Sequence, residues 1–211
     1  MGENARHDDP KNEHERRHHR SDADGDREGP DGDHDHGLSP DHDHDADLEN
    51  PGAAVVTVSS SRSLDDDPSG DAIGEGLEAG GFEIATRELV NDDFDTIQHI
   101  VDTLTDRDDV NVVVTTGGTG VTPDDVTVEA VQPLISKTLP GFGELFRTLS
   151  YEEVGTRVVA TRTIAGVIES VPVFCLPGSE NAARLGCEEI IVEEAPHLIG
   201  LAARESSSSE E

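Results

Sequence analysis

Residues 112–125 read VVVTTGGTGVTPDD. A β-branched apolar run ends in Thr115 and Thr116. Gly117, Gly118, Thr119 and Gly120 follow, and Asp124 and Asp125 close the stretch. The pattern is a buried strand running into a loop with almost no side chains, then carboxylates at the mouth of a helix. Glycines let a backbone approach a bulky anion and offer it N–H groups. The carboxylates would repel that anion unless a metal ion or proton transfer mediates. The pairing therefore points to a phosphate-bearing substrate with Mg²⁺.

Four further stretches could take part. SSSR at 59–62 holds Ser59, Ser61 and Arg62, and VNDD at 90–93 holds Asp92. PGFGELFR at 140–147 holds Gly141, Gly143, Glu144 and Arg147, and LPGS at 176–179 holds Pro177, Gly178 and Ser179. Each also has a plain structural reading. Asp92 and Asp125 suit the N-caps of helices over 93–107 and 126–135. Thr115 and Thr116 suit a strand end. Gly141 to Glu144 suit a Pro-Gly turn with a surface carboxylate, and either arginine suits an ion pair.

The surrounding elements put most of these stretches at one end of a sheet. Strands are expected over 53–59, 83–90 and 111–115. Helices are expected over 69–80, closed by Gly80-Gly81, then over 93–107 and 125–135, where Pro133 kinks or ends the last of them. The β-α-β-α-β-α order predicts a mostly parallel, doubly wound sheet. Ligands on such sheets bind beyond the carboxyl ends of the strands. That places 59–61, 91–93 and 115–125 on one rim. Two β-rich runs, 158–164 and 167–176, joined at Ala165-Gly166, read as a hairpin or as adjacent antiparallel strands. Ser179 is expected to cap a helix over 180–191, and 195–204 forms a further amphipathic segment.

Charge narrows the function classes. The chain has 211 residues, with 47 acidic against 15 basic and a formal charge of −32; its only lysines are Lys11 and Lys137. Nucleic acid and anionic membrane surfaces both need a positive footprint, so neither is expected as a partner. Residues 1–52 hold 17 acidic and 6 basic residues, which leaves −21 on the other 159. Acidity that persists outside the tail suggests a high-salt cytoplasm, as in a halophilic archaeon. Mutual repulsion of these carboxylates predicts weakened folding below about 1 M salt, where screening over roughly 3 Å is lost. A thermal melt that stays flat from low to high KCl would refute this.

The 1–52 stretch has too few large apolar side chains to offset ordering entropy and is expected to be disordered, as is 205–211. It carries eight of the ten histidines. His34, His36, His42 and His44 form two Asp-His-Asp-His units suited to weak Zn²⁺, Ni²⁺ or Cu²⁺ binding. Cys175 and Cys187 read as buried free thiols. No run of 18 apolar residues and no secretory signal occurs, so a cytoplasmic location is expected.

Taken together, TTGGTG, the D-x-T at 125–127, GFGE and LPGS resemble the MoaB/MogA family of molybdenum cofactor biosynthesis proteins, over about residues 53–203 and closer to its MoaB branch. The resemblance implies a three-layer α/β/α domain assembling as a trimer, or as a hexamer of two trimers. It implies a molybdopterin adenylyltransferase: the terminal phosphate of molybdopterin attacks the α-phosphorus of ATP, with Mg²⁺, giving adenylyl-molybdopterin and pyrophosphate. The product would pass to a molybdenum insertion protein. Asp92 matches the first aspartate of the family's V-x-D-D/E motif, and Asp125 the aspartate of its R-D-x-T motif. Both are thereby implied as catalytic and as Mg²⁺ ligands. Ser59, Ser61, Thr115 to Gly120, Gly141, Gly143, Glu144 and Pro177 to Ser179 are implied in binding molybdopterin or ATP. The arginine usual before the second aspartate is Asp124 here, which removes a cation beside the expected phosphate site. The His-rich tail lies outside the family pattern. A non-catalytic molybdopterin-binding carrier or scaffold is the alternative within the pathway, and metal buffering by the tail is the alternative outside it.

Overall fold

The computed structural model describes residues 49–206. Residues 1–48, with the histidine units, and residues 207–211 fall outside the described residues, so the expected tails lie there almost entirely at the first end and in part at the second. Strand β1 (Gly52–Val58) leads to helix α1 (Pro68–Ala79), β2 (Glu83–Val90), α2 (Phe94–Thr105) and β3 (Val112–Thr116). Next come α3 (Thr127–Val131), the two-residue β4 (Lys137–Thr138) and α4 (Pro140–Val154). The chain ends in the hairpin β5 (Ile164–Ile168) and β6 (Val171–Leu176), then α5 (Glu180–Gly186) and α6 (Val192–Ser206), with one π turn, Cys187–Ile191, between the helices.

The six strands lie in the order β2-β1-β3-β6-β5-β4. The first four are mutually parallel; β5 runs antiparallel to β6, and β4 to β5. Strand residues alternate between two apolar layers, because successive side chains leave opposite faces of a sheet. Ala53 and Val55 of β1 join α1, α4, α5 and α6 on one face. Ala54, Val56 and Val58 join α2 and α3 on the other. Both faces are covered, as parallel sheets require. The chain is the mostly parallel α/β/α sandwich that the β-α order predicts.

Helix α1 ends as expected from Gly80-Gly81. Gly81 has φ +88°, its N–H reaches Glu78 O, and Phe82 N–H reaches Leu77 O. This pair of bonds satisfies the last carbonyls of the helix.

Three local expectations are corrected. The hairpin turns at Glu169 and Ser170, both at positive φ, and not at Ala165-Gly166. Gly166 lies inside β5, where a Cβ would strike Ile135 and come within 2.7 Å of Lys137 O. The glycine permits a close approach, not a turn. Residues 155–160 form a 3-10 turn, so the run expected over 158–164 becomes strand only at Ile164. Gly141, Gly143 and Glu144 belong to the first turns of α4, not to a loop. Pro140 starts that helix at a position where its missing N–H costs nothing. Phe142, Phe146 and Ser150, four residues apart, form its buried face.

Candidate functional site

The carboxyl ends of β1, β3 and β6 open onto a cleft of about 400 Å³. Val58, Ser59, Ser61 and Arg62 form one side, Gly117 to Gly120 with Asp125 the floor, and Pro177 to Ser179 the opposite side. Ala160 and Thr161, which no sequence motif singled out, complete the lining. Segments 120 residues apart thus meet, as expected beyond the carboxyl ends of a doubly wound sheet.

The glycine loop has a stereochemical reason for its composition. Gly117 and Gly118 have φ +103° and +63°, a region that side chains disfavour. A Cβ on Gly117 would also collide with Val58 O, and one on Gly118 with the Thr127 hydroxyl. A Cβ on Gly178 would lie 3.1 Å from Gly117 Cα, so these two turns touch backbone to backbone.

Thr115 and Thr116 are fully buried and do not line the cleft. Thr116 Oγ1 donates to Pro177 O at 2.8 Å, which fixes the opposite wall from beneath. Thr115 faces the Cys175 side of the sheet, paired with that residue across β3 and β6. Cys175 and Cys187 are free and buried, as expected, and burial pushes their thiols up to about 11 and about 12.

Asp125 lines the cleft, and it does not cap a helix. The N-cap position of α3 is held by Val126, and no side chain caps the helix. Asp125 Oδ2 instead accepts Thr122 N at 2.8 Å and Thr122 Oγ1 at 2.6 Å. Partial burial raises its pKa, but the hydroxyl and amide of Thr122, the amide of Gly120 and the charge of Arg162 outweigh this, so its carboxyl is held below the usual range. Asp92 does not cap a helix either. Asp93 caps α2 by accepting Thr96 N at 2.9 Å. Asp92 lies outside the cleft lining; its Oδ2 takes Ser60 N and Ser60 Oγ, each at 2.8 Å, tying the end of β2 to the end of β1.

Both bonds to Asp92 end on Oδ2, as do both Thr122 bonds to Asp125. Each carboxylate therefore has a second oxygen that these bonds do not engage. Among the described residues no group of three or more His, Cys, Asp or Glu side chains is placed to hold a metal ion. Mg²⁺ is commonly held by one or two carboxylates with substrate phosphates and water supplying the rest, and Asp125 is the carboxylate that the cleft lining offers it.

Gly143 and Glu144 line a second cavity, about 370 Å³, with Arg147, Arg162 and Thr163. Gly143 lies deep, where a Cβ would be 2.9 Å from Thr163 O. Gly141 is not with them; it borders an apolar groove with Phe142 and Leu145. Ser179 stands at the N-cap position of α5 without a side-chain capping bond. Arg62 turns inward: it pairs with Asp67, donates to Ser69 Oγ, and donates from Nη2 to Gly178 O at 3.0 Å.

Sequence reasoning missed two residues that organise this site. Asp67 is buried beside two arginines, but in the sequence it is one of three consecutive aspartates. Arg162 follows a stretch with no motif, yet its guanidinium bonds Gly120 O and Asp125 O from the side of the second cavity. With Asp124 preceding Asp125, Arg162 is a cation delivered to the loop by a different segment of chain.

The probable molybdopterin binding domain family matches residues 54–197. Molybdenum cofactor biosynthesis protein B of Staphylococcus epidermidis is 45% identical over 150 residues, covering 69% of this chain and 85% of that protein. A crystal structure of a molybdenum cofactor biosynthesis protein B superposes with a TM-score of 0.72 at 40% identity, covering 76% of this chain and 99% of the other. The tungsten cofactor synthesizing protein MoaB from Pyrococcus furiosus superposes with a TM-score of 0.66 at 39% identity, covering 74% and 98%. On its fold, its rim residues and these likenesses, the chain belongs to the MoaB/MogA family of molybdenum cofactor biosynthesis proteins.

Proposed function

We propose that this protein is a molybdopterin adenylyltransferase, joining the terminal phosphate of molybdopterin to the α-phosphorus of ATP and releasing pyrophosphate. The observation that carries the reading is the meeting of Gly117 to Gly120 with Asp125 in one cleft at the strand ends. Phosphoryl-type transfer needs positioning and charge neutralisation more than covalent chemistry from the protein. The loop amides would hold phosphate oxygens. Asp125, ionised at neutral pH, would hold Mg²⁺ and orient the attacking phosphate, with Asp92, at the end of β2 on the far side of β1, as the second expected ligand. Mg²⁺, when bound, would offset the charge of the triphosphate. Gly143 and Glu144 would border the pterin in the second cavity, with Arg147 as the nearby cation.

The same reading takes the protein as a homotrimer or hexamer. Exposed Tyr151, Val154 and Val159 on α4 and the turn after it supply apolar surface for assembly. Its product would go on to the molybdenum insertion protein.

The test is turnover of ATP and molybdopterin in molar KCl with Mg²⁺. Adenylyl-molybdopterin and pyrophosphate in equal amounts are the expected products. A folded protein that binds molybdopterin and forms neither would be a carrier of the pathway, and Asp124→Arg would then be the first variant to assay for gained activity.

A further inference from the structure

Four consecutive carbonyls of the glycine loop are held by two residues. Gly117 O accepts Thr127 Oγ1 at 2.8 Å, and Gly118 O accepts Thr127 N at 3.0 Å. Thr119 O accepts Arg162 N at 3.2 Å, and Gly120 O accepts Arg162 Nε at 2.5 Å. In a trans peptide the C=O of one residue and the N–H of the next point in opposite directions. Each of the amides of Gly118, Thr119, Gly120 and Val121 is therefore turned away from the residue that holds its carbonyl. Glycines at positive φ make this run of peptide planes attainable. They do not select it over other arrangements open to so flexible a loop. The bonds to Thr127 and Arg162 do.

Arg162 reaches further. Nη2 donates to Asp125 O at 2.8 Å, and Nη1 pairs with Glu129 on α3. One guanidinium thus joins the glycine loop, the main chain of Asp125 and the helix after it. Only a planar fork with donors on all three nitrogens spans three such acceptors; an ammonium is a single point.

We propose that Arg162, assisted by Thr127, is a positioning residue that sets the peptide planes of residues 117–120 so that the amides of Gly118 and Thr119 face an anionic phosphate group, and holds Asp125 in register with them. This rests on the reading of the cleft as a nucleotidyl-transfer site. Arg162 acts through the loop and not on the reacting atoms: it is absent from the cleft lining, and its guanidinium is directed to Gly120 O, Asp125 O and Glu129.

The test uses the full chain in molar KCl with Mg²⁺ and pyrophosphate as the probe. Binding is measured by calorimetry and by the amide resonances of the ¹⁵N-labelled protein, with turnover assayed in parallel. In the parent, the amides of Gly118 and Thr119 shift together on titration. Arg162→Gln weakens pyrophosphate binding by about tenfold or more, the scale of losing hydrogen bonds that position a charged group. Arg162→Ala regains part of that affinity with millimolar methylguanidine, which a general loss of packing would not allow. Thr127→Val weakens binding, and Thr127→Ser, which keeps the hydroxyl, returns it to within about twofold of the parent.

A folded Arg162→Gln or Thr127→Val that binds pyrophosphate like the parent would overturn the proposal. So would a parent whose loop amides ignore the probe. If Arg162→Gln does not fold, the Thr127→Val and Thr127→Ser pair decides the matter. A parent whose loop responds but which forms no adenylyl-molybdopterin would overturn the proposed reaction while supporting this role of Arg162.

Discussion

Asp125→Asn is expected to lower turnover of ATP and molybdopterin by about 10²-fold or more, the usual scale for removing one group that stabilises charge in a transition state. The substitution keeps the size of the side chain, and an amide oxygen can still accept from Thr122. It deletes the negative charge at the one carboxylate that lines the cleft. The four groups that outweigh burial of this carboxyl keep it ionised at neutral pH, so the charge is present for the variant to lose. Molybdopterin affinity is expected to change little, because the second cavity, with Gly143 and Glu144, does not include Asp125. The effect should therefore fall on kcat. Asp92→Ala should behave differently: it removes the acceptor for Ser60 N and Oγ, so the 59–61 wall loosens and KM rises along with the loss of kcat. Single-turnover kinetics with pre-bound substrates separate these cases. An Asp125→Asn protein with kcat close to the parent would remove Asp125 from the chemistry.

Asp67→Ala is expected to cost about 3 kcal/mol of stability, the scale of breaking a buried charge pair by removing one partner. For a domain of this size that is a fall in Tm of roughly 10 °C. Asp67 is 1% exposed and accepts Thr57 Oγ1 at 2.6 Å and Gly70 N at 3.0 Å. Arg62 and Arg87 approach it at 3.5 and 3.4 Å. Burial pushes its pKa up, but the Thr57 hydroxyl, the Gly70 amide and the charges of Arg87 and Arg62 together bring it below the ordinary value. A carboxyl lowered in the native state stabilises the fold fully above its unfolded pKa, near 3.9, and loses that contribution as pH falls through the lower native value. The difference between parent and Asp67→Ala should accordingly be complete at pH 7 and shrink below about pH 4. Urea melts at both pH values check it, and a difference that grows toward acid would show the sign to be wrong. The variant should also loosen the cleft, because Arg62, freed from Asp67, is the donor that holds Gly178 O.

Much of this protein can be read from its residues in order. The strand expected over 111–115, the helices expected over 69–80 and 93–107, and the doubly wound sheet follow from apolar patterning and the β-α order, and the structure places them at 112–116, 68–79 and 94–105. The glycine loop and the two aspartates stand out because they break those periods. The family follows from the same short motifs.

What the sequence by itself determined is therefore the fold class and the family, since both rest on patterns carried within single elements. Tertiary structure decided the rest. It made Gly166 a crossing point and not a turn, because another strand passes too close for a Cβ. It drew Gly141 to Glu144 into α4, whose buried face of Phe142, Phe146 and Ser150 appears only once β5 is beside it. It gave the cap of α2 to Asp93 and not Asp92, a choice between neighbours that depends on where Ser60 stands. It brought Arg162 to Gly120, 42 residues away, and Arg62 to Gly178, 116 residues away. Such contacts are settled by which segments the folded sheet sets side by side, and a linear pattern of residue types holds no record of that.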